Sequence, residues 1–136
     1  LLVIDVDHFK QVNDKHGHAV GDRVLEGVAE ALRRRVQPPA IACRYGGEEF
    51  VVVVPRADSN ALAGLAEYLR GAISASSTGI RVTASIGLAS TADHPFADPR
   101  GLFRAADEAL YAAKRTGRDR VVAWQPNLPG NAALAQ

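Results

Sequence analysis

The sequence predicts an α+β fold in which a mainly antiparallel central sheet is covered by helices, and three observations carry that expectation. Leu1-Leu2-Val3-Ile4 is an unbroken apolar run of the kind that forms a central strand. Farther on, an alternating segment from Ile41 to Tyr45 is followed almost at once by the continuous run Phe50 to Val54, which reads as two strands of a hairpin joined by a very short turn. Between and after these strands, apolar residues recur at helical spacing, so that the element order is β-α-α-β-β-α-β-α-β. Strands and helices in that order, with a hairpin at the centre, pack as a sheet with helices against it.

Each element has its own signals. After the first strand, Asp7 or His8 begins a short helix with Phe9 and Val12 inward and Lys10 and Asn13 elsewhere, and Gly17 ends it. Asp22 is a candidate N-cap for an amphipathic helix marked by Val24, Leu25, Val28, Ala29, Leu32 and Val36. Arg33-Arg34-Arg35 closes that helix, where cations complement the negative end of the dipole. Gln37-Pro38-Pro39-Ala40 breaks the helix and leads into the hairpin, whose Gly46 and Gly47 are expected to supply positive φ. Pro55 ends the second hairpin strand, and Ser59 is the predicted N-cap of a helix that buries Leu62, Leu65, Ala66, Leu69 and Ile73. A loop from Ser74 to Gly79 precedes a strand in which Val82, Ala84, Ile86 and Leu88 alternate with Thr83, Ser85 and Gly87. After the polar loop Thr91 to Asp98, Asp98-Pro99 starts a helix with Leu102, Phe103, Ala106, Ala109, Leu110 and Ala113 on one face, and Gly117 stops it. Arg120 to Ala123 is a last edge strand. From Trp124 on, Pro126, Pro129 and Gly130 interrupt any apolar pattern and read as a loose tail, so the domain is placed at residues 1–124 and a flexible C-terminal tail at 125–136.

Composition narrows the class. A chain of 136 residues fits one domain with one core. Its 47% hydrophobic and 23% charged residues are ordinary for a soluble globular protein, and no apolar run spans a bilayer. A net charge of +1 provides no global basic field, so nucleic acid is not an expected partner, nor is direct membrane contact. Cys43 has no partner for an internal disulfide and is expected to be a small core residue, in keeping with a cytoplasmic setting for the domain. The chain begins with Leu inside a strand and reads as N-terminally truncated, so a full-length protein with an upstream membrane anchor remains compatible with it.

The chemistry concentrates where strands end. Asp5 and Asp7 lie two residues apart at the end of the first strand and point to one face if that strand continues. Glu48 and Glu49 follow the hairpin glycines and lead into a buried strand, where adjacent carboxylates repel unless a cation sits between or above them. Two acidic strand ends form the oxygen-rich set that suits Mg²⁺, which takes few carboxylates and leaves positions for phosphate. A solvated acidic tip is the simpler alternative for the hairpin alone. His16 and His18 flank Gly17 without a third nitrogen or sulfur ligand nearby and are read as neutral loop residues.

Asp5-Val6-Asp7-His8-Phe9-Lys10, Asn13-Asp14, Gly17-His18 and Gly21-Asp22, followed by Arg44-Tyr45-Gly46-Gly47-Glu48-Glu49-Phe50 and by Ala106 to Lys114 with Gly117-Arg118, together resemble the GGDEF domain of diguanylate cyclases. The resemblance runs to about Ala123, although the family's Asp-x-Leu-Thr-Gly-Leu-x-Asn-Arg-Arg type segment, which precedes the first strand, is not in this sequence. It implies a nucleotidyl cyclase or polymerase-palm-like fold. It also implies synthesis of cyclic di-GMP from two GTP with release of two pyrophosphates, as a bacterial second-messenger signal. Gly46, Gly47, Glu48, Glu49 and Phe50 match the signature loop in a Gly-Gly-Glu-Glu-Phe form. By the same resemblance, Asp5, the Val6 carbonyl, Glu48 and Glu49 hold two Mg²⁺ (or Mn²⁺) per active site, with Glu48 as the catalytic residue.

Backbone amides of His8, Phe9 and Lys10 would receive phosphates, with Lys114 and Arg118 at the β- and γ-phosphates. Asn13 and Asp22 would read guanine; taken without the resemblance, Asn13 is a polar helix residue and Asp22 a cap. A homodimer is implied, because each domain holds one GTP, and cyclic di-GMP would be able to reoccupy the active site. The family's inhibitory Arg-x-x-Asp pair falls on Gln37 and Ala40, so no inhibitory site is expected. The alternatives are a catalytically inactive GTP-binding or regulatory GGDEF domain, and a cyclase acting within one nucleotide.

Overall fold

The computed structural model describes residues 1–76 and 79–129. Five strands form one sheet in the order β2-β3-β1-β4-β5. These are β1 (Leu2–Val6), β2 (Ile41–Arg44), β3 (Glu49–Val53), β4 (Ala84–Leu88) and β5 (Val121–Ala123). The helices are α1 (Phe9–His16), α2 (His18–Arg35), α3 (Ser59–Ser74) and α4 (Pro99–Arg115), so the element order is the expected one. All pairings are antiparallel except β4 with β5, giving the mixed, mostly antiparallel α+β sheet that the sequence predicts.

The two faces of β1 are packed differently. Leu2, Ile4 and Val6 point toward α1, α2 and α3, where they join Phe50, Val52, Ile86 and Leu88 in the main core. Val3 points to the opposite face, beneath Ala105, Ala106 and Leu110 of α4. β1 and β4 are therefore buried on both faces, which is why β1 reads as a near-continuous apolar run and β4 carries only the small residues Ser85 and Gly87 between its apolar ones. At Gly87 the backbone of α4 comes so close that a Cβ would overlap Ala106 O and Leu110 N, so only glycine lets the helix lie this near the sheet.

Several local expectations are corrected. Cys43 is exposed rather than buried, because β2 is an edge strand. Ile41 and Tyr45, on the same alternation, are exposed as well. Gly46 and Gly47 do not take positive φ; among the described glycines that conformation belongs to Gly17, Gly79 and Gly117. Residues 45–48 give the hairpin enough chain to turn with ordinary dihedrals.

Asp58, not Ser59, caps α3, its carboxylate accepting from Ala61 N at 2.8 Å. α2 starts directly after Gly17, so Asp22 lies inside the helix and is not its cap, and on the same helix Ala31 is buried while Ala29 is exposed. His16 and His18 are helix ends rather than loop residues. The Asp98-Pro99 start is as predicted, with Asp98 accepting from Gly101 N. Trp124 does not belong to a loose segment. Its amide bonds to Leu88 O, its indole donates to Glu108 at 2.8 Å, and His94 and Phe96 pack against its ring. Residues 130–136, most of the expected tail, lie outside the described residues.

Candidate active site

Asp5 is in register with Glu49 of β3 on one side and Ser85 of β4 on the other. Residues paired this way share a sheet face, so Asp5, Glu49 and Ser85 form a row at one end of the sheet, on the side covered by α4. Glu48 continues the ladder through its carbonyl, which accepts from Val6 N at 3.1 Å. The hairpin closes through Tyr45 N and Gly46 N, both donating to Glu49 O. Arg44 braces the tip from within, its guanidinium donating to the carbonyls of Gly46 and Gly47 at 2.6–3.1 Å. The signature segment is thus a braced hairpin whose two carboxylates are delivered beside the end of β1.

Charge in this row is unbalanced. Burial raises the Asp5 carboxyl above its ordinary value, opposed by Lys114, whose ammonium stands 3.0 Å from Asp5 Oδ2. Burial also raises Glu49, and the neighbouring Asp5, Asp107 and Glu48 carboxylates add to that while Lys114 opposes it. Arg118 is near enough to favour the charged form of Asp5. Among the described residues no group of three or more His, Cys, Asp or Glu side chains could form a metal cage. Mg²⁺ does not require one, since it binds through one or two carboxylates and completes its shell with water and substrate phosphate. Neighbouring Asp5 and Glu49, with Asp5 disfavouring ionisation of Glu49 and Asp7 that of Asp5, are a donor set that fits such a cation.

Lys114 and Arg118 reach the site from the end of α4. The helix ends at Arg115, Arg118 N donates to Ala113 O, and Gly117, Arg118 and Asp119 follow with φ of 128°, 63° and 44°. On the other side of β1, His8 takes φ 55° and caps α1 without a side-chain hydrogen bond, so the first amides of α1 follow directly from the strand end. The Phe9 side chain is buried, which leaves only its backbone to meet a ligand.

A groove of about 440 Å³ lies between α2 and the hairpin, lined by Asp22, Leu25, Glu26, Ala29, Arg44 and Phe50 among others. Asp22 is on its rim. Asn13 does not line it; its Oδ1 is buried without a partner against Gly21, where a Cβ would overlap that oxygen. The structure therefore brings Asp5, Glu49, Lys114 and Arg118 together, puts Asp22 at the groove, and leaves Asn13 outside its lining, against Gly21.

Two residues make contacts that the sequence reading did not assign. Asp7 is buried and accepts from Thr83 Oγ1, Ser85 Oγ and Asp119 N, so it points to the α4 face as expected but spends its oxygens on protein donors. Gly21 gives Asn13 its room. The available signal was its place in the Gly21-Asp22 pair, which spacing alone does not explain.

An acidic sheet end facing two cations, in a domain that also has a groove between α2 and the hairpin, defines an α+β domain suited to handling a ligand's phosphates. The chain belongs to the GGDEF family: the family model described as diguanylate cyclase, GGDEF domain, matches residues 1–120. It is 40% identical over 134 residues to diguanylate cyclase DosC of Escherichia coli, covering 94% of this chain and 29% of that protein. Among solved structures it resembles the GGDEF domain of DgcB from Caulobacter crescentus in complex with c-di-GMP, with TM-score 0.79 and 36% identity over 90% of this chain and 75% of that one. The active GGEEF domain of a diguanylate cyclase from Vibrio cholerae gives TM-score 0.80 and 31% identity, over 91% and 81%. The chain thus spans less than a third of the curated relative DosC and most of the isolated GGDEF domains.

Proposed function

We propose that this chain is a diguanylate cyclase domain that condenses two GTP into cyclic di-GMP with release of two pyrophosphates, acting in bacterial second-messenger signalling. The observation that carries the reading is the row of Asp5 and Glu49 at one sheet end, faced by Lys114 and Arg118. Gly46 to Phe50 is the signature loop in its Gly-Gly-Glu-Glu-Phe form, the form named for the Vibrio cholerae relative.

The family generally uses divalent metal ions, and here Asp5, Glu48, Glu49 and the Val6 carbonyl would hold two Mg²⁺ (or Mn²⁺). When bound, such ions neutralise charge on the phosphates and lower the pKa of the attacking 3′-hydroxyl. Glu48 accepts the hydroxyl proton. Lys114 leaves Asp5 for the β- and γ-phosphates, where Arg118 joins it, and the amides of His8 to Lys10 hold the phosphates from the β1 side. Asp22, at the groove rim, and Asn13, whose side-chain oxygen has no donor in the folded chain, read the guanine edge.

Each domain holds one GTP, so two copies must face each other about a two-fold axis with each 3′-hydroxyl aimed at the other's α-phosphorus. Cyclic di-GMP carries the same guanine and phosphate groups and occupies the same pocket as product. The domain belongs on the cytoplasmic side; no helix of the described residues is long and apolar enough to cross a membrane. The test is to fuse the chain to a dimerising coiled coil, incubate it with GTP and Mg²⁺, and separate the products by chromatography. Cyclic di-GMP is expected. GTP binding without product identifies a regulatory domain instead, and 3′,5′-cyclic GMP identifies a cyclase working within one nucleotide.

A further inference from the structure

Asp7 lies two residues from Asp5 on the same face, yet its surroundings are different. Asp5 faces Lys114, whereas Asp7 is 4% exposed and its carboxylate accepts three hydrogen bonds. Ser85 Oγ donates to Oδ1 at 2.6 Å; Thr83 Oγ1 at 2.7 Å and Asp119 N at 3.0 Å donate to Oδ2. A carboxylate held this way has its negative charge stabilised by fixed dipoles and little lone-pair capacity left for a cation. The Asp119 amide belongs to the residue after Arg118. Both residues are non-glycine and left-handed, a conformation that is held by surrounding contacts rather than by local preference.

Those contacts come from three directions. Arg118 N donates to Ala113 O, which ties the turn to the end of α4. Asp119 is ion-paired through its side chain to Arg70 of α3 at 2.6 Å, and Arg70 is in turn paired to Glu67. Asp7 holds the Asp119 amide from the turn directly after β1, the strand that carries Asp5. The backbone at Arg118 is thereby fixed, and its exposed guanidinium is near enough to favour the charged form of Asp5.

We propose that Asp7 is a positioning residue for the phosphate site: it anchors the 117–119 turn through Asp119 N, so that Arg118 meets the substrate's terminal phosphates, and it does not ligate metal. The inference rests on the proposed function, which supplies the triphosphate.

The test measures nucleotide affinity without metal and without turnover. Binding of a non-hydrolysable GTP analogue and of GMP is titrated in EDTA for the wild-type chain, Asp7→Asn, Arg118→Ala and the double variant. Hydrogen exchange of the Asp119 amide is followed in parallel. The expected result is a loss of about 10-fold in triphosphate affinity for each single variant, an unchanged GMP affinity, and no further loss in the double variant. Exchange at Asp119 should quicken by about 10-fold in Asp7→Asn. Thr83→Val removes one of the donors that orient Asp7 and should reproduce part of both effects, which keeps the proposal open to refutation if Asp7→Asn does not fold.

Additive losses in the double variant, or equal losses for the triphosphate and GMP, would overturn the positioning role while leaving the nucleotide reading intact. So would a Mg²⁺ requirement for activity that rises about 10-fold in Asp7→Asn, because that marks a metal ligand. A wild-type chain that binds neither guanine nucleotide would overturn the functional reading and this inference with it.

Discussion

At the scale of single residues, Asp5 and Glu48 each contribute a carboxylate to the proposed metal donor set. Asp5→Asn or Glu48→Gln should lower turnover by at least about 10²-fold, because each weakens the stabilisation of charge developing on the phosphates. Circular dichroism should report an unchanged fold, and near-normal product formation at saturating Mg²⁺ by either variant would refute the metal assignment. Asp22 is exposed inside α2, so it has no capping role to lose. Asp22→Ala should weaken GTP binding by about 1–3 kcal/mol and leave ATP binding as poor as before, as read by calorimetric titration. Equal changes for the two bases would remove Asp22 from guanine recognition. Away from the site, Glu30 is held down to about 2 by the Arg33 and then the Arg34 guanidinium, both within 3 Å. A depressed folded value means that the pairing is present above the unfolded carboxylate range and is lost as pH falls through about 2. A carboxyl NMR titration should find that low midpoint, and replacing both arginines by alanine should return it toward the ordinary 4.5.

At the scale of elements, the placement of Lys114 depends on how closely α4 lies on β1 and β4. Gly87→Ala should push α4 outward and cost at least about 2 kcal/mol in urea unfolding, since the added methyl meets backbone at Ala106 and Leu110 rather than a movable side chain. An unchanged midpoint would show that the helix tolerates a wider spacing. Which elements form was legible from periodicity: β1 opens on an apolar run, β4 alternates apolar with small residues, and the stripes of α2, α3 and α4 recur at helical spacing. Local detail was less legible. Asp58 and Ser59 are adjacent and both competent to cap, and pattern does not choose between them. The alternation Ile41, Cys43, Tyr45 identifies a strand, but it cannot say that the strand stands at the sheet edge with these side chains exposed. In the site, the carboxylates were visible because strand ends rich in acid are unusual. The tethering of Asp7 was not, since its partners lie 76, 78 and 112 residues away in sequence and are ordinary loop and strand residues until the sheet assembles.

At the scale of the whole molecule, the question is how the product acts back on the domain. Inhibition from a site remote from the chemistry needs a charged grip on a second cyclic di-GMP, and by the family resemblance Gln37 and Ala40 would stand at the positions of the inhibitory arginine and aspartate. Neither position is free to take on that role. The Gln37 amide donates to Arg34 O at the end of α2, at 3.1 Å, and Ala40 packs against the core. A neutral amide lacks the bidentate, charge-assisted hydrogen bonds that a guanidinium makes to phosphate, and a methyl group cannot accept from guanine. The proposed active site, by contrast, keeps every group that recognises guanine and phosphate. Product inhibition should therefore be competitive, with excess GTP restoring full velocity, and Asp22→Ala should weaken cyclic di-GMP and GTP together. Steady-state rates of the forced dimer at several fixed cyclic di-GMP concentrations decide the matter. A kcat that falls with product and does not recover at saturating GTP, in wild type and in Asp22→Ala alike, would mean that a second binding surface exists and that Gln37 and Ala40 do not prevent it.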